Sequence, residues 1–198
     1  MSLEKVKELR EEIVLRGKHL PEYVKVANGR TSNKYTNLDD TLDAGSVLPE
    51  DCDILYGLVK KYRPRTIFEI GTWFGVSAMT MAIAMEDLGI DGTVYTCDSH
   101  TLYTYSHPFI KYYNDSSTRA LKIIKKKEVK LDMVFADGKF YPGDDKRIMR
   151  LANSKFVFAV HDYEGKSKGV RDMAAMKKYM TGDIHVTETT IAYAEIDK

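Results

Sequence analysis

The sequence predicts an α/β protein built on a doubly wound, mostly parallel sheet of seven strands. Three observations carry this. From Pro49 onward, short apolar runs alternate with segments of helical spacing. The runs at 66–70, 131–136 and 156–160 are apolar nearly throughout, as strands covered on both faces should be. The last two runs, 184–187 and 191–194, are close enough in sequence to form a C-terminal antiparallel hairpin.

The elements follow in order. Residues 3–15 place Leu3, Val6, Leu9 and Ile13 at helical spacing. Residues 17–49 are rich in Asn, Thr, Asp and Gly and read as an irregular arm or lid. A helix over 51–62 puts Ile54, Leu55, Leu58 and Val59 on one face, and Pro64 stops it. A strand at 66–70 leads through the loop 71–75 into a helix over 76–88, which ends near Gly89. Strands at 93–97 and 110–113 flank a Tyr-rich stretch. A helix over 118–127, strands at 131–136 and 156–160, a helix over 169–180 and the terminal hairpin complete the chain. Two regions result: an N-terminal helix and lid, 1–50, and a core, 51–198.

Composition narrows the functional classes. The 198 residues suit one domain, and a net charge of +1 disfavours a phosphate-tracking nucleic-acid binder. Lys125, Lys126 and Lys127 read as a solvated helix end beside the carboxyl-terminal dipole. No apolar stretch approaches the roughly 20 residues of a membrane span. The start MSLEKVKELREE is charged throughout, so a cytoplasmic location is expected. Cys52 and Cys97 are too few for a disulfide framework or a four-thiolate zinc site.

In parallel α/β sheets, ligands bind beyond the carboxyl ends of the strands, where strand order reverses. The first such end reads Glu69-Ile-Gly71-Thr72-Trp-Phe-Gly75-Val-Ser77. Its glycines allow tight turning, and the helix that follows offers free N–H groups to an anion. A plain strand-to-helix turn is the competing reading, but Glu69 at the end of a buried strand is costly unless it is paired or used. Asp98 ends the second strand, where a carboxylate suits the two hydroxyls of a ribose. Asp115 and Ser116 follow the third strand, where Ser116 also suits a helix N-cap. Asp137 ends the fourth strand, and His161 and Asp162 end the fifth. Two carboxylates and an imidazole side by side suggest a divalent cation or a general base. Capping acids beside a structural histidine are the plainer alternative.

These motifs, taken in order, resemble class I S-adenosylmethionine-dependent methyltransferases. The runs Asp132-Met-Val-Phe-Ala-Asp137-Gly and Val-His161-Asp162-Tyr163, followed by Lys168-Gly169-Val170, are similar to the small O-methyltransferases of the catechol, sugar and macrolide types. The likeness covers about residues 50–198. It implies a Rossmann-like sheet with S-adenosylmethionine as cofactor. Glu69 and Gly71 would then lie along the methionine portion, with Thr72 and Gly75 as further contacts and Ser77 on the carboxylate. Asp98 would take the ribose hydroxyls, and Asp115 and Ser116 would border the adenine. Asp137 would lie near the sulfonium and, in metal-dependent relatives, would bind magnesium together with the positions of His161 and Asp162.

The sequence departs from the pattern at two points. The general-base Lys of catechol-type enzymes falls on Phe140, with Lys139 one residue early as a catalytic candidate. His161 stands where an oxygen ligand is expected, which disfavours magnesium and makes the imidazole itself a candidate base. The expected reaction is an SN2 methyl transfer to a hydroxyl of a small molecule. Tyr23, Tyr35, Tyr103, Tyr105 and His107 are candidates to flank that acceptor, or merely to pack the arm on the core. No nucleic-acid or membrane partner is expected, and the N-terminal helix could pack on the core or on a second subunit. The competing functions are a non-catalytic methyltransferase-like binding domain and an NAD-type oxidoreductase. The G-x-x-x-G spacing counts against the latter.

Overall fold

The computed structural model describes residues 3–20, 23, 46–100, 102, 103 and 105–198, without the side chains of Leu3 and Lys5. The described elements are α1 (Leu3–Lys18), α2 (Pro49–Tyr62), β1 (Thr66–Ile70), α3 (Val76–Asp87), β2 (Thr93–Asp98), β3 (Ile110–Asn114) and α4 (Ser117–Lys126), then β4 (Leu131–Ala136), α5 (Asp144–Leu151), β5 (Ala152–Val160), α6 (Lys168–Lys177), β6 (His185–Val186) and β7 (Ala192–Asp197).

The seven strands form one sheet in the order β3-β2-β1-β4-β5-β7-β6. β1 to β5 are mutually parallel, and β7 runs antiparallel to both β5 and β6. The chain therefore starts in the middle, winds outward to β3, and returns to the other side through β4. The reversal of strand order lies between β1 and β4.

Alternation along each strand divides the core into two layers. Ile67, Met133, Phe135, Val157 and Ala159 face α1, α2 and α3. Phe68, Ile70, Val134, Ala136, Phe158 and Val160 face α4, α5 and α6. The helix α3 is buried over most of its length (Val76 to Met85), because it is covered by the sheet on one side and by α1 and α2 on the other. Val6, Ile13 and Val14 of α1 belong to that same layer, so the N-terminal helix is part of the core packing. Cys52 and Cys97 are buried free thiols. Among the described residues, no helix is long and apolar enough to cross a membrane.

Two features depart from the sequence expectation. The helix α5 was not expected, because Ile148 and Leu151 are its only buried apolar residues amid a charged octet. β5 begins at Ala152, earlier than the apolar run, where the polar stretch Asn153-Ser154-Lys155 continues the strand past a register shift against β4. Most of the expected lid, including Tyr35, lies outside the described residues.

Candidate active site

Strand register assembles the site. Ile70 pairs with Cys97 on one side and with Ala136 on the other, and Ala136 pairs with Val160. The next residues, Gly71, Asp98, Asp137 and His161, therefore emerge in a row at the carboxyl edge. The N–H groups of Asp137 and Gly138 both donate to the Ile70 carbonyl, and His161 N–H donates to the Ala136 carbonyl. A Cβ on Gly71 (φ +98°) would collide with the Gly138 backbone. Its glycine is thus required by the close approach of two loops, in addition to any ligand.

A cavity of about 790 Å³ opens at this edge, within the roughly 300–1,000 Å³ of small-molecule sites. Gly71, Asp98, Asp115, Ser116, Asp137 and Lys139 all line it, as do Trp73 and Lys168. Asp98 is held in place: its Oδ2 accepts the Trp73 N–H at 2.9 Å and its Oδ1 accepts the His100 N–H at 2.9 Å. Oδ1 also faces His100 Nδ1 at 3.1 Å, so Oδ2 is the oxygen that keeps a lone pair for a hydroxyl. Asp115 accepts the Ser116 N–H at 2.7 Å, and Ser116 is the N-cap residue of α4. Beneath it, the buried Asp144 accepts hydrogen bonds from Ser117, Thr118 and the Tyr141 N–H, which fixes the floor of the site.

Four expected cofactor contacts do not face the cavity. Glu69 is fully buried and accepts a hydrogen bond from Thr96, and the buried Ser77 lies close enough to act on its carboxyl. Burial raises its pKa to about 8, so it is mostly protonated at neutral pH. Thr72 pairs its hydroxyl with that of Thr96. The Tyr103 ring lies where a Cβ on Gly75 would be. These residues frame the loop from behind. The candidate acceptor aromatics are also committed to packing. Tyr23 lies against Trp73 and Phe74, Arg16 covers the Tyr105 ring, and Tyr103 lies against Tyr112. His107 faces Glu86 at 3.7 Å.

Five charged groups converge where Asp137 and Lys168 line the cavity, with His161, Asp162 and Asp51 behind them. His161 Nδ1 lies 3.1 Å from Asp137 Oδ1 and 3.4 Å from Asp162 Oδ1, while its Nε2 lies 3.1 Å from Asp51 Oδ2. Ionised carboxylates only accept, so this arrangement favours a ring protonated on both nitrogens. Burial opposes this charge, but the bonds to Asp137 and Asp51 outweigh it and raise the pKa to about 10. Burial likewise pushes Asp137 and Asp51 up, and their hydrogen bonds from His161 hold both below the usual carboxylate range. A charged ring with both nitrogens engaged is not poised to take a proton, which corrects its expected role as base. Lys139 is also displaced from its expected part: it is exposed, with its ammonium over the Tyr141 ring. The lysine that reaches the cluster is Lys168, whose Nζ lies 2.7 Å from Asp137 Oδ1 and 3.3 Å from Asp162 Oδ2 and also donates to the Asp137 carbonyl.

One atom each from Asp137, His161 and Asp162 lies within 4.8 Å of the others, the spacing of a metal site. The donor chemistry does not fit a divalent cation. A metal needs a lone pair on the imidazole, and here each ring nitrogen already faces a carboxylate oxygen at 3.1 Å. Magnesium also needs oxygen ligands free to surround it, and here an ammonium already bridges the two carboxylates.

The sequence gives no signal for Asp51, and it marks Lys168 only as part of the resemblance, without a role. Asp51 lies in the first turn of α2 and accepts the Leu48 N–H at 2.9 Å, an ordinary helix-start role that gives no functional signal.

No protein-family model matches the sequence, and no curated protein matches it either. Solved structures do. The O-methyltransferase TomG of Streptomyces achromogenes, solved with S-adenosylmethionine, is 16% identical with a TM-score of 0.58, over 91% of each chain. The Bacillus cereus O-methyltransferase, solved with S-adenosylhomocysteine, is 15% identical with a TM-score of 0.57, over 100% of each chain. The Podospora anserina methyltransferase PaMTH1, also holding S-adenosylhomocysteine, is 14% identical with a TM-score of 0.58, over 90% of this chain and 88% of its own. The chain has the Rossmann-like methyltransferase fold. In methyltransferase terms, the cavity stands at the switch point of the sheet, and the charged cluster stands at the end of β4 and β5.

Proposed function

We propose that this protein is an S-adenosylmethionine-dependent methyltransferase that methylates a hydroxyl oxygen of a small molecule. One observation carries the reading. The cavity begins at Asp98 and Asp115 and ends at Asp137 and Lys168, so it is acidic where a ribose would bind and charge-rich where a hydroxyl would be activated. Its fold is shared with O-methyltransferases solved with S-adenosylmethionine or S-adenosylhomocysteine.

The cavity fits the cofactor in size and in donor set. Asp98 would accept the ribose hydroxyls, Asp115 and Ser116 would border the adenine, and Gly71 would let the methionine portion lie on the backbone of the first loop. The bound cofactor supplies an electrophilic sulfonium methyl. The protein contributes position and electrostatics. The cations His161 and Lys168 favour the deprotonated form of an acceptor hydroxyl placed at the end of the cavity.

Calorimetry with S-adenosylmethionine, S-adenosylhomocysteine and NAD tests the cofactor. The first two should bind and NAD should not; binding of NAD alone would replace this reading with the oxidoreductase one. Turnover over a panel of hydroxylated small molecules then tests the reaction. Cofactor binding without methylation of any acceptor would leave the binding-domain alternative.

A further inference from the structure

We infer that Lys168 is the resident cation of this site and that the Lys168–Asp162 pair receives the acceptor hydroxyl without a divalent metal. The inference rests on the methyl-transfer reading for the identity of the reaction, but the cation itself can be tested without any cofactor.

The position of Lys168 in the chain is the first reason. It is the first residue of α6, where the helix dipole is positive and disfavours a cation. Its ammonium is held there by two carboxylates from neighbouring strand ends, Asp137 after β4 and Asp162 after β5. The backbone is built for this approach. Ser167 caps α6 and also donates to the Asp162 carbonyl, and a Cβ on Gly169 would collide with the His161 carbonyl. The first turn of α6 is thereby pressed onto the end of β5.

The second reason is exclusion. A dication held by Asp137 and Asp162 would share both carboxylates with an ammonium already in contact with them, at a separation where like charges repel strongly.

The third reason is the inequality of the contacts. An ammonium has three N–H donors. Two are directed to Asp137, at its carbonyl and at Oδ1. The third reaches Asp162 Oδ2 at 3.3 Å, which is long for a charge-assisted bond. Asp162 is also the most exposed acid of the cluster, 44% accessible against 14% for Asp137. The long, open contact is where a hydroxyl fits. Its oxygen accepts the third N–H of Lys168, and its proton passes to Asp162 Oδ2. The oxygen lone pair forms the new bond to the methyl carbon of the sulfonium donor. The carbon–sulfur bond breaks with its electron pair left on sulfur, giving a neutral thioether. A metal ion favours acceptors with two vicinal oxygens to chelate, whereas a single ammonium requires one. The acceptor class is therefore a small molecule with a lone reactive hydroxyl.

The test is Mn²⁺ titration followed by electron paramagnetic resonance, on the intact protein without cofactor. Wild type and Lys168→Arg should leave Mn²⁺ free at millimolar concentration. Lys168→Met should gain one site at least tenfold tighter, lost again when Asp137→Asn is added. A wild-type site removed by Asp137→Asn overturns the inference. If circular dichroism shows Lys168→Met unfolded, Lys168→Gln takes its place, and the wild-type titration still decides. With cofactor and an acceptor in hand, turnover should survive chelation by EDTA; a tenfold loss restored by Mg²⁺ overturns it. Failure to bind S-adenosylmethionine while the Mn²⁺ pattern holds would remove the methyl-transfer reading and leave the resident cation standing.

Discussion

Nε2 of His161 lies 3.1 Å from Oδ2 of Asp51, which ties the end of β5 to the first turn of α2 across 110 positions of sequence. The imidazolium lies between this carboxylate and Asp137, so its charge is structural as well as chemical. A histidine whose pKa is raised from 6.5 to about 10 on folding contributes its full stabilisation below about pH 6.5. That stabilisation is lost as pH rises through the folded value. Urea unfolding at about pH 6, 8 and 10 should therefore show a progressive loss, at ~1.4 kcal/mol per unit of true shift. His161→Gln should flatten the dependence in that window, and an equally steep wild-type and variant profile would remove the assignment.

Glu69 gives a second pH signature. Its carboxyl is raised by burial from 4.5 to about 8, so the folded protein holds a proton that the unfolded chain releases. Stability should fall as pH rises between about 4.5 and 8 from this group. Glu69→Gln preserves the shape and can still accept from Thr96. It should be nearly neutral for stability at low pH and stabilising at about pH 9, in paired thermal melts. A variant less stable than wild type at high pH would mean that the carboxylate is ionised and paired.

These two side chains mark the boundary of what the sequence makes legible. The order of helices and strands could be read because the inner strands are apolar on both faces and Gly and Pro punctuate the ends. The row of Gly71, Asp98, Asp137 and His161 could be read because parallel register brings strand ends together. Two things could not. The helix α5 buries only two apolar residues, Ile148 and Leu151, too few for a periodic signal beside Asp144, Asp145, Lys146, Arg147 and Arg150. Asp51 and Lys168 reach the cluster from helix starts outside the parallel strand register, and only tertiary packing reveals that they meet His161 and Asp137. The direction in which a motif residue points is equally hidden, since Glu69 and Ser77 are both buried in the interior.

Trp73 is the only tryptophan, and it lines the cavity with its N–H on Asp98. Its emission should therefore change on titration with S-adenosylmethionine. Asp98→Asn removes the charge that anchors both this backbone and the proposed ribose contact. Hydrogen bonds to charged groups are worth roughly 1.5–3 kcal/mol, so affinity read from Trp73 fluorescence should fall at least tenfold. An unchanged affinity would mean that the ribose is held elsewhere.

Gly169 is the residue on which the placement of Lys168 turns. It lies inside the first turn of α6, where an alanine would ordinarily favour the helix. Here the added methyl would meet the His161 carbonyl and the Asp162 backbone. The helix must then withdraw from the end of β5, and the ammonium of Lys168 is withdrawn from Asp137 with it. Gly169→Ala should lower stability by ~1–3 kcal/mol through overpacking. It should also reproduce, in weaker form, the Mn²⁺ binding expected of Lys168→Met, because the carboxylates lose their resident cation. Gly165→Ala is the control, since a Cβ there meets nothing within 4 Å and its φ of +55° gives it backbone strain without the collision. Equal stability loss in both variants, with no Mn²⁺ uptake by Gly169→Ala, would show that α6 does not need its close approach to hold Lys168 in place.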